Sequence, residues 1–231
     1  MFTIRHSNDR GRAYFGWLDS RHSFSFGDYF DPKHVSFSEL RVINEDIVKP
    51  GTGFGTHGHR DMEIISYVLE GSIEHKDSEG NIQTIPAGEF QLMSAGRGIH
   101  HSEYNASPKE NLKFLQIWIQ PNRFGEEPSY YQKNFGQNIG LTTIATPTGQ
   151  NDTFPLKQEA SLHQLILSPG MIETYTIQEG RCAYVHLVHG SLSIDDTVMN
   201  SGDGAKIKQT AQIQLFNHSD TKATALIFDL P

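Results

Sequence analysis

Clusters of Gly, Pro, Asn and Asp interrupt this chain at short intervals, and apolar-alternating segments fill the spaces between them. The clusters read KPGTGFG from Lys49, DSEGN from Asp77, PAGE from Pro86 and NSGDG from Asn200. No window of 12 or more residues carries the i, i+3, i+4, i+7 apolar spacing of an amphipathic helix. Period-two alternation is common instead. Leu112 to Gln120 places Leu115, Ile117 and Ile119 on one face and Phe114 and Trp118 on the other, and Ala223 to Leu230 alternates likewise. Many short strands between turn residues specify an all-β sandwich or barrel.

An internal repeat doubles that unit. Tyr67 to Ile73 reads YVLEGSI and His186 to Leu192 reads HLVHGSL; PAGEFQLM follows the first from Pro86 and NSGDGAKI follows the second from Asn200. The 231 residues therefore predict two related β-barrels, 1–133 and 134–231. A polar, Gly-rich stretch near Asn134 to Gly140 joins them, and Thr146 to Pro155 reads as a loop inside the second half.

Composition excludes several classes of function. With 19 Lys and Arg against 27 Asp and Glu the formal charge is −8, so the chain lacks the basic footprint of a direct nucleic-acid or anionic-lipid binder. No purely apolar run exceeds four residues, far short of the ~20 that a membrane span needs. The N-terminal MFTIRHSNDR has no signal-peptide core. One cysteine, Cys182, precludes an internal disulfide and suits a reducing cytoplasm. Cys182 borders an apolar strand, where burial is the expected fate.

Twelve histidines stand out. His57 and His59 form H-x-H, and His101 and Glu103 form H-x-E. In a strand, residues i and i+2 point to the same face, so two such pairs on neighbouring strands can converge on one metal ion. Three imidazoles and a carboxylate suit Fe, Mn, Co, Ni, Cu or Zn. With this many histidines, chance yields an H-x-H pair about as often as not, so the surrounding spacing carries the weight. Gly51 lies six residues before His57, Glu63 four after His59, and Gly80, Pro86 and Gly88 follow as G-x5-P-x-G.

Together these residues resemble the two signature motifs of the cupin superfamily, small β-barrels that hold a metal inside. The ordinary second motif would place its histidine at Gln91, so the missing imidazole must come from elsewhere, and His101 is the candidate. Glu63 has the strand parity of an ordinary cupin's carboxylate ligand and competes with Glu103. The resemblance sharpens with GWLDSRHSFSFGDYFDP from Gly16, RVINEDIV from Arg41, HGHRDMEI from His57 and MSAGRGIHHSEYN from Met93. This combination is similar to the pirin family of bicupins, strongly over the first half and as a degenerate cupin over the second. The resemblance implies that His57, His59, His101 and Glu103 are the metal ligands, with Glu63 nearby but not a ligand. Gly58 stands where the family commonly has Pro. Thr176 stands at the spacing of His57 in the second repeat, so no metal is expected there.

Some bacterial pirins are quercetin 2,3-dioxygenases, and the resemblance implies that activity, with Fe(II) as the expected ion. A flavonol and dioxygen would be the substrates, Glu103 the proton acceptor, and carbon monoxide a product. The alternative that the family implies is an iron-dependent redox switch that binds a protein partner such as a transcription regulator or metabolic enzyme. A sugar-phosphate isomerase would want a Lys and Arg cluster, and only Arg60 and Arg97 are close in sequence. Arg97 reads either as an anion-orienting group or as a turn residue bonding carbonyls. Gly53, Gly55 and Gly58 satisfy G-x-G-x-x-G, but the strand-like segment after them argues against a dinucleotide fold. His6, His22, His34, His75, His163, His189 and His218 read as surface or loop residues, His100 as pointing away from His101, and His186 as a core histidine.

Overall fold

The computed structural model describes residues 2–231. Apart from two single 3-10 turns, Ser7–Asp9 and Gln150–Asp152, its regular structure among the described residues is all β. The chain divides into two compact units, Gly11–Gly136 and the segment before Gly11 together with Gln137–Pro231. The strands are β1 (Phe2–Arg5), β2 (Gly11–Tyr14), β3 (Leu18–His22), β4 (Leu40–Val48), β5 (Gly53–His59), β6 (Glu63–Glu70), β7 (Ser72–Asp77), β8 (Ile82–Pro86), β9 (Glu89–Ser94), β10 (Ile99–Asn105), β11 (Leu112–Ile119) and β12 (Ser129–Asn134). They continue as β13 (Gly140–Thr146), β14 (Phe154–Pro155), β15 (Ser161–Leu167), β16 (Ile172–Thr176), β17 (Cys182–His189), β18 (Ser191–Ile194), β19 (Thr197–Asn200), β20 (Gly204–Ile207), β21 (Gln212–Phe216) and β22 (Ala223–Leu230).

Each unit is a seven-stranded sheet and a four-stranded sheet. In Gly11–Gly136 the orders are β12-β9-β6-β11-β4-β3-β2 and β5-β10-β7-β8. In the other unit they are β1-β20-β17-β22-β15-β13-β14 and β16-β21-β18-β19. The central strands β6 and β11 are buried almost throughout, which is why they read as near-continuous apolar runs. The apolar core of Gly11–Gly136 includes Leu18, Val48, Val68, Ile73, Ile85, Leu112 and Phe114, contributed by strands of both sheets. Cys182 is buried.

The expected halves at 1–133 and 134–231 differ from these units at the N-terminus. β1 pairs antiparallel with β20, as β12 pairs with β9, so the opening strand fills in the second unit the place that β12 fills in the first. The alternation in Phe2–Arg5 shows that the segment is a strand, but it carries no mark of its partner. The Gly-Ser turns of the repeat are equivalent in detail. Gly71 and Gly190 both adopt positive φ, and a Cβ on either would meet a facing carbonyl, Asn111 O at 2.9 Å or Lys222 O at 2.7 Å.

A second shared device ties each four-stranded sheet to its neighbour. Asn105 Nδ2 donates to Val48 O at 3.0 Å and Glu110 O at 2.8 Å, and its Oδ1 accepts from Ser107 N. Asn217 Nδ2 donates in the same way to Leu167 O at 2.9 Å and Thr221 O at 2.7 Å, and its Oδ1 accepts from Ser219 N. Both side chains are buried. Asn217→Ala strips partners from two carbonyls and is expected to cost about 2 kcal/mol or more of stability. Urea denaturation measures this, and metal content should stay unchanged.

Candidate metal centre

Three adjacent strands build the centre. β10 lies between β5 and β7, with His101 opposite His57 on one side and Asp77 on the other, and with Glu103 opposite His75. Each strand contributes an i, i+2 pair to one face: His57 and His59, His101 and Glu103, His75 and Asp77. The three imidazoles of His57, His59 and His101 meet, with ring centroids 4.5–4.9 Å apart. His57 Nε2 and His101 Nε2 are 3.1 Å apart. A second group, His75, His101 and Glu103, shares His101; within each group the ligand atoms lie within 4.8 Å of one another. The sequence-derived candidates are thus split: the histidines form one group, and Glu103 joins the other through His101.

A polar neighbour fixes the tautomer of His57. His57 Nδ1 lies 2.8 Å from Gly55 O. A carbonyl only accepts, so Nδ1 carries the hydrogen, and in the neutral ring Nε2 keeps its lone pair. His59 Nε2 is buried and has no hydrogen-bond partner among the described residues. Burial, with neighbouring His101 and His57, lowers His59 to about 4; burial, with His57 and His75, lowers His101 to about 3. Both rings are therefore neutral at ordinary pH and have lone pairs to offer. Three imidazoles beside a carboxylate fit a divalent transition metal.

Glu103 is buried, and burial raises its carboxyl above the ordinary value against the opposing effect of His75 and His57. Ser66 Oγ donates to its Oε1 and Gln116 Nε2 to its Oε2, both at 3.2 Å. Glu63 is outside both groups and accepts from Ser94 Oγ at 2.9 Å. Gln91 is buried on β9 opposite Ser66, and it is His101, from β10, that completes the imidazole trio. His100 is exposed and His186 buried.

Two histidines read as surface residues are interior. His75 is fully buried, and its Nε2 donates to Asp77 Oδ2 at 3.0 Å; His22 is buried on β3, with Nε2 2.8 Å from Ser20 Oγ. Burial alone would raise the Asp77 carboxyl, but bonds from His75 and Asn81 hold it below its ordinary value. His75-Lys76-Asp77 has the same parity as the two recognised pairs, and that was the available signal. Arg97 pairs with the Glu127 carboxylate at the surface. The G-x-G-x-x-G glycines Gly53, Gly55 and Gly58 lie within strand β5, and a strand, β6, follows it.

A cavity of about 840 Å³ adjoins the imidazoles. Trp17, Phe26, Phe54 and Trp118 wall it, His57 and His59 open onto it, and Gln116 links it to Glu103. Ser20, His22, Asn44 and Asp46 also line it. Burial pushes the Asp46 carboxyl up to about 7. Asn44 and Asp46 were not singled out from the sequence, because they stand with Glu45 as three consecutive polar residues in RVINEDIV and period-two alternation does not mark which of them face inward.

Residues 3–119 match the family model described as Pirin, and residues 143–230 match that of the quercetinase C-terminal cupin domain. The chain belongs to the pirin family. Over its whole length it is 43% identical to an Escherichia coli K12 protein named quercetin 2,3-dioxygenase, covering 99% of that protein. It is 40% identical to a pirin-like protein of Caulobacter vibrioides, over 89% of this chain and 90% of the relative. The crystal structure of the Escherichia coli pirin YhhW in complex with nickel(II) superposes with a TM-score of 0.96 at 42% identity, covering 100% of this chain and 99% of that one. The two β units are accordingly two cupin domains.

Two predictions follow from the surroundings of the site. Gln116→Leu removes a donor from Glu103 and is expected to weaken divalent-ion binding about 10- to 100-fold, measured by calorimetric titration with Ni(II). Asp46 ionises near its ordinary 3.8 when unfolded and near 7 when folded, so the folded state binds more protons between these values. Stability contributed by this group therefore falls as pH rises through that window. Asp46→Asn cannot ionise, and its stability advantage over the parent should widen from about pH 4 to about pH 8. Chemical denaturation across that range tests it, and a constant difference would contradict the assignment.

Proposed function

We propose that this pirin is a metal-dependent dioxygenase that opens the heterocycle of flavonols such as quercetin with dioxygen and releases carbon monoxide. The observation that carries the reading is an aromatic-walled cavity of about 840 Å³ opening onto His57 and His59 of the imidazole trio, a size suited to a small-molecule ligand. The full-length similarity to proteins named quercetin 2,3-dioxygenase supports it. His57, His59, His101 and Glu103 are the proposed ligands of one divalent ion. Fe(II) is the ion assigned here, and the nickel(II) complex of the Escherichia coli relative makes Ni(II) the first alternative to load. When bound, the ion would lower the pKa of the flavonol 3-hydroxyl and hold it with the 4-carbonyl.

The chain's own groups then do three things. Trp17, Phe26, Phe54 and Trp118 bury the substrate's aromatic faces and keep bulk water away. Glu103 takes the 3-hydroxyl proton at Oε2, the oxygen on the side of cavity-lining Gln116. Ser66 and Gln116 hold that carboxylate in place before and after the transfer.

Aerobic incubation of the Fe(II)-loaded protein with quercetin should bleach the flavonol absorbance and release carbon monoxide. Persistence of the absorbance without carbon monoxide, with Fe(II) and with Ni(II), overturns the reading. Glu103→Gln is expected to lower kcat at least about 100-fold, and removal of the ion by a chelator should abolish turnover reversibly.

A further inference from the structure

One wall of the cavity is polar although it is almost wholly buried. Ser20 and His22 on β3 stand in register with Asp46 and Asn44 on β4, and all four side chains line the cavity. Asn44 and Asp46 are each 2% exposed. Ser20 hydrogen-bonds the Asp46 carboxyl, and His22 Nε2 lies 2.8 Å from Ser20 Oγ. Asn44 Oδ1 and Asp46 Oδ1 are buried and have no hydrogen-bond partner among the described residues. A cavity built for bare aromatic rings would carry apolar side chains at these inward positions, because a buried polar atom without a partner is destabilising.

We propose that Asn44 and Asp46 form a hydroxyl-reading wall that selects polyhydroxylated aromatic ligands over analogues without those hydroxyls. The inference rests on the flavonol reading above and adds to it the residues that set specificity. The flavonol's 3-hydroxyl and 4-carbonyl are directed to the ion, so the hydroxyls on its outer rings need other partners. In a cavity otherwise walled by Trp17, Phe26, Phe54 and Trp118, the polar side chains of Asn44 and Asp46 supply them. Because burial holds the Asp46 carboxyl near 7, part of its population at neutral pH also presents an O–H donor. Neither residue belongs to the imidazole and Glu103 groups.

Trp17 and Trp118 are the chain's two tryptophans and both line the cavity, so quenching of intrinsic fluorescence reads occupancy directly. Fe(II)-loaded protein is titrated without dioxygen against quercetin and against 3-hydroxyflavone, which keeps the chelating pair and has no other hydroxyl. The parent should bind quercetin more tightly. Asp46→Leu should raise the quercetin Kd about tenfold, the value of one good hydrogen bond, and leave the 3-hydroxyflavone Kd within about twofold. Asn44→Leu should act in the same direction and carries the test if Asp46→Leu does not fold. If both ligands weaken equally, or neither changes in either variant, the inference falls and the flavonol reading stands. If the parent binds neither ligand, the flavonol reading falls and takes this inference with it.

Discussion

The register of β10 between β5 and β7 is the constraint on which the centre depends. Because β10 is paired on both sides, its i, i+2 pair is held against His57 on one flank and His75 with Asp77 on the other. Six polar side chains therefore face one interior, and a one-residue slip of any strand would turn its pair to the opposite face. Burial of these groups has opposite effects on acids and bases. It keeps His59 and His101 neutral, with lone pairs free, and it raises Glu103. The Gly55 carbonyl, Ser66 and Gln116 fix the orientation of His57 and Glu103. The remainder of the unit supplies what that arrangement needs, a rigid apolar core contributed by both sheets.

The fold was legible in the sequence because its signals are local. Alternation, turn clusters and the YVLEGSI and HLVHGSL repeat specify strands and their duplication without tertiary knowledge. The exchange of β1 into the second unit was not legible, since Phe2–Arg5 pairs with residues about 200 positions later. At the centre, H-x-H and H-x-E were visible as pairs. His75 and Asp77 were missed because one histidine among twelve carries no label of burial. Their strand parity was informative only once β7 was known to flank β10. Asn44 and Asp46 were missed for a related reason. A polar residue in an apolar strand reads as the solvent face until the sheet is seen to close over a cavity.

The two units show how little of a cupin frame the chemistry occupies. Aligned on Asn105 and Asn217, the positions of His101 and Glu103 correspond to Ile213 and Leu215. By pairing, His57 corresponds to Tyr175, one residue before the Thr176 that sequence spacing indicates. The offset arises after the paired residues, since Glu63 opens β6 six positions after His57 and Cys182 opens β17 seven positions after Tyr175. The β5–β10 ladder shifts register between His101 and Glu103, whereas β16 and β21 pair evenly. A bulge of this kind re-aims side chains, and Gly55, inside the irregular stretch between Phe54 and His57, supplies the carbonyl that anchors His57. In the second unit Tyr175, Ile213 and Leu215 join the apolar core. The same frame thus supports either a polar centre or a plain hydrophobic core, and the choice rests on a few inward-facing positions.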